Sequence, residues 1–199
     1  MKKTLCVYAG ANQGTDPNYA RMARQLGTQM VQKGYRLVYG GSSIGLMGEL
    51  ANSLLKNGGE VIGVMPQNLI LGEMVHPHLT ELIQVQDMHA RKEEMNKLAD
   101  GFLALPGGIG TFDELFETLC WAQIGIHRKP IGLLNVDGYF NPLIQLIEHS
   151  IRHEFTPESN MKLLCSAADP ADLLTQIENY TPPILGNKWK NYPNNPQDK

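Results

Sequence analysis

The 199-residue sequence predicts an α/β fold, an open, doubly wound parallel sheet of about seven strands flanked by helices. Three observations predict it. Short apolar runs alternate with helix-length amphipathic segments along the chain. The runs are apolar throughout, as strands covered on both faces are. Glycine-rich turns follow several of them, where such sheets pass from strand to helix.

Strands are expected at Leu5–Ala9, Leu37–Tyr39, Val61–Met65, Leu82–Val85, Phe102–Leu105, Ile131–Asn135 and Leu163–Cys165, with helices between most of them. Asp16-Pro17 and Asp169-Pro170 each place a capping carboxylate before a proline at the first helical position. Gly34 closes the first helix and Gly58-Gly59 the second. The length suits one domain, expected over residues 1–185, with an Asn-, Pro- and Lys-rich tail at 186–199 expected to be poorly ordered.

Charge is mixed and the net charge is −3, which gives no sign of a nucleic-acid surface. The apolar run after Lys2-Lys3 is too short for a secretion signal, and no stretch reaches the eighteen or so apolar residues of a membrane span. Cys6, Cys120 and Cys165 are odd in number and lie in apolar contexts, so they are expected to be reduced, buried thiols of a cytoplasmic protein. The six histidines show no ligand spacing, His76 and His78 being too close for a helix-face pair, so no metal is expected.

In an open parallel sheet, ligands sit outside the carboxyl ends of the strands. Three glycine-bearing loops fall there: Gly10 after the first strand, Gly40–Gly48 after the second and Pro106–Gly110 after the fifth. The spacing from Gly41 to Gly48 is neither the dinucleotide fingerprint nor a Walker A loop. Met65-Pro66 occupies the place where a dinucleotide site would hold an acid for the ribose, which weakens a redox function.

The stretch Pro106 to Glu114 carries the most information. Pro106 stops the strand, the glycines allow a tight turn, and Phe112, Leu115, Phe116 and Leu119 mark one face of a helix. Thr111 is the natural N-cap, and Asp113 and Glu114 are expected in the first turn. A helix N-terminus preceded by glycines offers free N–H groups and a positive dipole end to a phosphate. Two readings of Glu114 stand side by side: Thr111-x-x-Glu114 fits a capping box, and the carboxylate also suits chemistry beside an anion site. Arg91, in the first turn of a helix after another strand, could reach the same cleft; with Lys92, Glu93 and Glu94 it also fits a solvated, charge-paired face.

The segments MHARK (88–92) and PGGIGTFDE (106–114), with YGGSSIGLMG, GVMP and WAQIGIH, closely resemble the LOG family of cytokinin-activating phosphoribohydrolases, whose members are often labelled lysine decarboxylases. The resemblance runs from about Leu5 to Ile177. It implies a Rossmann-like domain that takes a nucleoside 5′-monophosphate and hydrolyses its N-glycosidic bond to free base and ribose 5-phosphate, with no cofactor. It implies that Arg91 and Glu114 are the catalytic pair and that the N–H groups at Gly108, Gly110 and Thr111, with Ile109 between them, hold the 5′-phosphate. Glu73, Met88, Lys92, Asp113 and Cys120 match ligand-contacting positions, and Gly41, Ser42, Ser43 and Gly45 line the same cleft. Family members commonly dimerise, so the helix Leu115–Ile126 with Trp121 is expected to pack a second copy; an ordinary buried tryptophan fits equally.

This sequence departs from the family at Ser42, where many members have glycine, and at Cys120, where plant members tend to have threonine. Both bear on which base is preferred. A pyridoxal-dependent decarboxylase would need a Schiff-base lysine and an acid for the ring nitrogen, and neither Lys92 nor Lys129 is so placed. Two alternatives remain: a general purine or pyrimidine nucleotide nucleosidase, and a non-catalytic carrier of a nucleotide-containing cofactor.

Overall fold

The computed structural model describes residues 2–70 and 74–184. The strands are β1 (Thr4–Tyr8), β2 (Arg36–Tyr39), β3 (Val61–Pro66), β4 (Glu81–Val85), β5 (Gly101–Ala104), β6 (Ile131–Leu134) and β7 (Leu164–Ala167). All pair in parallel in one sheet of order β4-β3-β2-β1-β5-β6-β7. All seven expected strands are present, shifted by a residue or two at their ends. The expected tail at 186–199 lies outside the described residues.

Strand residues alternate between two buried layers. Leu5, Val7, Leu37 and Leu103 face helices α1 (Pro17–Gln32), α2 (Gly45–Lys56) and α7 (Pro170–Glu178), where Leu26, Leu50 and Leu173 meet them. Cys6, Tyr8, Val38 and Phe102 face the other side, meeting Met95 of α4 (Met88–Leu98), Leu115 of α5 (Ile109–Gln123) and Phe140 just before α6 (Asn141–Arg152). A short helix α3 (Gln67–Ile70) follows β3. With both faces covered, central strands must be apolar at every position, and their all-buried patterns follow. Asp16 and Asp169 cap α1 and α7 through their side chains, each before a proline.

From β1 the chain winds outward through β2 and β3 to β4, then returns to add β5 on the other side of β1. The carboxyl ends of β1 and β5 are therefore the switch point, where successive connections leave toward opposite faces and a crevice opens. The loops there are in backbone contact. The Gly10 N–H donates to the Pro106 carbonyl at 3.1 Å, and the Gly10 carbonyl accepts from the Leu46 and Met47 N–H groups at 3.0 and 3.4 Å.

Gly45 makes the second loop possible. It has φ +63°, and a Cβ there would overlap the Ala11 carbonyl. Gly34 shares the left-handed backbone (φ +75°) but faces open space. Gly34→Ala should therefore cost about 1 kcal/mol, the backbone penalty alone, and Gly45→Ala more than about 2 kcal/mol because a clash is added. Urea unfolding of the two variants measures the difference.

Candidate active site

Three loops and the start of α4 enclose a cavity of about 490 Å³ over the carboxyl ends of β1 and β5, a size in the usual range for small-molecule sites. Gly10, Pro106 and Gly107 line it together with Arg91, Met88, Leu46, Met47 and Tyr19.

Gly108, Gly110 and Thr111 line this cavity at the start of α5. The N-cap of α5 is Gly108, with extended backbone (φ −98°, ψ −155°) and no side-chain cap. This corrects the expectation that Thr111 is the cap. Thr111 is the third helical residue, and its hydroxyl packs so tightly on Gly107 that a Cβ at Gly107 would overlap Oγ1. With the register moved three residues earlier, Asp113 and Glu114 fall in the second turn, and the first turn holds no acid. A capping box would need its acid at Thr111, so the capping reading of Glu114 is excluded. Among the described residues the N–H groups of Ile109, Gly110 and Thr111 have no protein acceptor. A Cβ at Gly108 or Gly110 would meet nothing within 4 Å. Protein packing does not demand glycine at either position, and the bare backbone leaves the N–H groups open to close approach.

Arg91 belongs to the cleft and not to a solvated face. It is 7 % exposed, and its guanidinium crosses the end of β2 over Gly40, where any Cβ would overlap Nη2. Its Nη1 approaches Met88 Sδ at 3.6 Å, and its Nε is a buried donor with no hydrogen-bond partner among the described residues. A buried cation with a spare donor is poised for an anionic or carbonyl oxygen.

Glu114 is half-buried beside it. Burial pushes its carboxyl up to about 7; the charges of Arg91 and Lys92 oppose the shift, and those of Asp113 and Glu117 add to it. No ion pair joins Arg91 to Glu114 within 4 Å among the described residues. The Glu114 carbonyl accepts from Thr118 Oγ1 at 2.9 Å, and that hydroxyl lies 2.9 Å from the buried Tyr8 phenol, so α5 is keyed to the end of β1 at the acid's own turn.

The other expected site residues divide. Met88 and Asp113 line the cavity. Lys92 ties α4 to α5 through Asp113 and Glu117, both at 3.1 Å. Gly41, Ser42 and Ser43, expected to line the cleft, are not among the residues lining the cavity. They are turned to the 74–76 segment, where Ser42 is buried and bridged to Val75, the Ser43 N–H donates to the Met74 carbonyl at 2.7 Å, and the Gly41 carbonyl accepts from the His76 N–H at 2.9 Å. Gly45 serves the turn already described. Ile109 faces outward. Glu73 lies outside the described residues. Cys120 is not brought to the cleft: it is exposed, against the expectation of burial, and borders a separate cavity of about 260 Å³ with Phe116, Leu146 and Ile147. The reason is its place on the outer face of α5, away from the sheet. Sequence reasoning missed Asn12, Gln13, Tyr19 and Tyr139, which all line the cleft. Tyr19 could have been found, since it stands in the first turn of a helix capped at the carboxyl edge of β1; Tyr139 follows β6 and had no local signal.

Residues 47–177 match the family described as possible lysine decarboxylase. Cytokinin riboside 5′-monophosphate phosphoribohydrolase LOG7 of Arabidopsis thaliana is 44% identical over 180 residues, covering 90% of this chain and 83% of that protein. The LOG enzyme of Oryza sativa subsp. japonica is 42% identical over 180 residues, 90% and 74% of the two chains. The chain belongs to the LOG family. Among solved structures, the molybdenum cofactor carrier protein MCP from Chlamydomonas reinhardtii matches with a TM-score of 0.68 at 22% identity, over 90% of this chain and 98% of that one. The molybdenum cofactor binding protein of Rippkaea orientalis matches at 0.67 and 21%, over 90% and 97%. These likenesses show a shared fold alone. The description as a decarboxylase finds no support in the cleft of this LOG-family chain: among the described residues no lysine lines the cavity, and Lys129 donates to the Asn96 carbonyl at the opposite end of the sheet.

Because folding raises the Glu114 pKa, the native state holds that proton more tightly than the unfolded chain does, and stability falls as pH rises from about 4.5 to about 7. Glu114→Gln, neutral at every pH, should be more stable relative to the parent at pH 8 than below about pH 4, where both carry a neutral side chain in the folded and unfolded states. Thermal melts across that window check this.

Proposed function

We propose that this protein hydrolyses the N-glycosidic bond of a nucleoside 5′-monophosphate, an N6-modified adenosine 5′-monophosphate in the first instance, giving free base and ribose 5-phosphate. The observation that carries the reading is the open N-terminus of α5 beside a buried arginine and a carboxylate of raised pKa. The names of the 42–44% identical relatives support the same reaction.

In this mechanism the 5′-phosphate sits on the N–H groups of Gly108, Gly110 and Thr111, where the dipole and the convergent donors favour it. The cleft then directs the ribose toward Glu114. As the C1′–N bond breaks, positive charge develops at C1′, and an ionised Glu114 stabilises it while accepting a proton from the attacking water. The water oxygen bonds to C1′, the electron pair of the broken C1′–N bond goes to the base nitrogen, and the base takes up one proton, from solvent or from Glu114, matching the one the water gave up. Arg91 anchors the substrate through its free donor and keeps the carboxylate ionised more than burial alone would allow. Phosphate binding positions C1′, so nucleosides without phosphate should react poorly.

We further propose that a second copy of the chain covers the outer face of α5, where Phe116 and Leu146 are exposed and Trp121 is half-buried. We place the protein in the cytoplasm, since three unpaired cysteines suit a reducing compartment. Among the described residues no helix is long and apolar enough to cross a membrane.

The purified protein, incubated with AMP and with N6-isopentenyladenosine 5′-monophosphate, should release base and ribose 5-phosphate, faster from the second. Glu114→Gln should lower kcat by about 10²–10⁴-fold, and the parent kcat/KM should rise with pH toward a plateau above about 7. Tight binding without cleavage of either nucleotide would favour a carrier, and equal cleavage of both a general nucleosidase.

A further inference from the structure

The phosphate-binding turn contains two consecutive glycines, Gly107-Gly108. A peptide unit between glycines can rotate with little steric resistance, and its rotation re-aims the Gly108 N–H. Because the peptide is planar and trans, its carbonyl and its N–H point in opposite directions, and fixing one fixes the other. The Gly107 carbonyl is fixed: it accepts a hydrogen bond from the phenol of Tyr139, 32 residues later in the chain.

The tyrosine is itself held from several sides. Its ring meets Tyr19 edge-on at 5.7 Å and the fully buried Phe140 edge-on at 5.2 Å. Its N–H donates to the Val136 carbonyl at 2.9 Å. The loop delivering it contains Asp137 at φ 51°, a left-handed backbone uncommon for a residue with a side chain. The Asp137 carboxylate accepts from the Asn18 side-chain amide in the first turn of α1, next to Tyr19. Asn135 Oδ1 accepts from the Phe140 N–H at 2.7 Å, closing the same loop. Strained backbone persists where its surroundings over-determine it. Here the result is one hydroxyl aimed at one carbonyl.

We propose that Tyr139 is a positioning residue of the phosphate site: its hydroxyl locks the Gly107–Gly108 peptide so that the Gly108 N–H is presented to the 5′-phosphate. Gly10 holds the preceding Pro106 carbonyl, and Thr111 Oγ1 closes the space beside Gly107. Tyr139 supplies the restraint on the peptide between the two glycines. The proposal rests on the phosphate assignment made above.

The test is Tyr139→Phe in the full chain, which keeps the ring and its edge contacts and removes the hydroxyl. Calorimetric titration with ribose 5-phosphate and with inorganic phosphate should show binding weaker by about tenfold or more, the effect of mis-aiming one charge-assisted hydrogen bond. KM for the nucleotide should rise with kcat less affected, and the slow cleavage of the phosphate-free nucleoside should not change. A merely structural role would lower the nucleotide and nucleoside rates together and shift the melting temperature. Equal phosphate affinity in the two proteins, or equal losses on nucleotide and nucleoside, overturns the proposal. If the parent itself binds neither anion, the phosphate assignment falls first and this inference with it.

Discussion

The close backbone contact between Gly10 and the Pro106-Gly107 turn is the constraint on which the rest of the cleft depends. A Cβ at Gly10 would stand 3.2 Å from both the Gly107 Cα and the Pro106 carbonyl oxygen, and one at Gly107 would stand 2.9 Å from the Gly10 nitrogen. Glycine at 107 is required for this approach, and glycine at 10 spares the ends of β1 and β5 a tight contact. The contact also decides what the two neighbouring helices can do. The Gly10 carbonyl accepts from the second and third N–H groups of α2, those of Leu46 and Met47, so these donors are used within the protein. The start of α5 is left with donors facing the cavity. Two glycine-rich helix starts at one edge of one sheet thus have different fates, one structural and one available to an anion.

Charge placement follows from the same geometry. α4 and α5 lie side by side on one face, and Lys92 between them pairs with Asp113 and Glu117. Those pairs are partly exposed, and each contributes little to stability by itself. Their consequence is local: they engage two of the three acids near the start of α5 and leave Glu114 without a lysine partner. Burial then dominates its titration, and Arg91 tempers the shift. Arg91 can stay buried because Gly40 gives its guanidinium room at the end of β2. A larger residue at that position would evict the cation and remove the charge that keeps Glu114 partly ionised.

The fold was legible in the sequence because burial on both faces writes itself as continuous apolar runs, and because Asp16-Pro17 and Asp169-Pro170 are local caps that need no tertiary information. The three loops of the site were legible for the same reason, as glycines at strand ends. The start of α5 was not. Threonine outranks most residues as a side-chain cap, but here the extended backbone of Gly108 starts the helix and Thr111 packs its hydroxyl on Gly107. Whether Arg91 was buried or solvated was equally beyond local pattern, since the deciding neighbour, Gly40, is 51 residues away in sequence. Tyr139 reaches the cleft through contacts with Tyr19 of α1 and with the Gly107 carbonyl after β5 that no periodicity records.

The fold shared with cofactor carriers makes the presence of Glu114 informative. For a protein that only held a phosphorylated ligand, a carboxylate lining the anion cavity would be a liability. At about 5 Å and an effective dielectric constant near 20, repulsion between two unit charges is about 3 kcal/mol, more than a hundredfold in affinity. Raising the carboxyl pKa to about 7 relieves part of that repulsion by protonation, but replacement by a neutral residue would relieve all of it. A carboxylate tolerated at this cost needs a charge that appears after binding, and the cation developing at C1′ during glycosidic cleavage is such a charge. Under the proposed mechanism, the same acid that weakens binding of the ground state would strengthen binding of the transition state, a trade that suits a hydrolase and not a carrier.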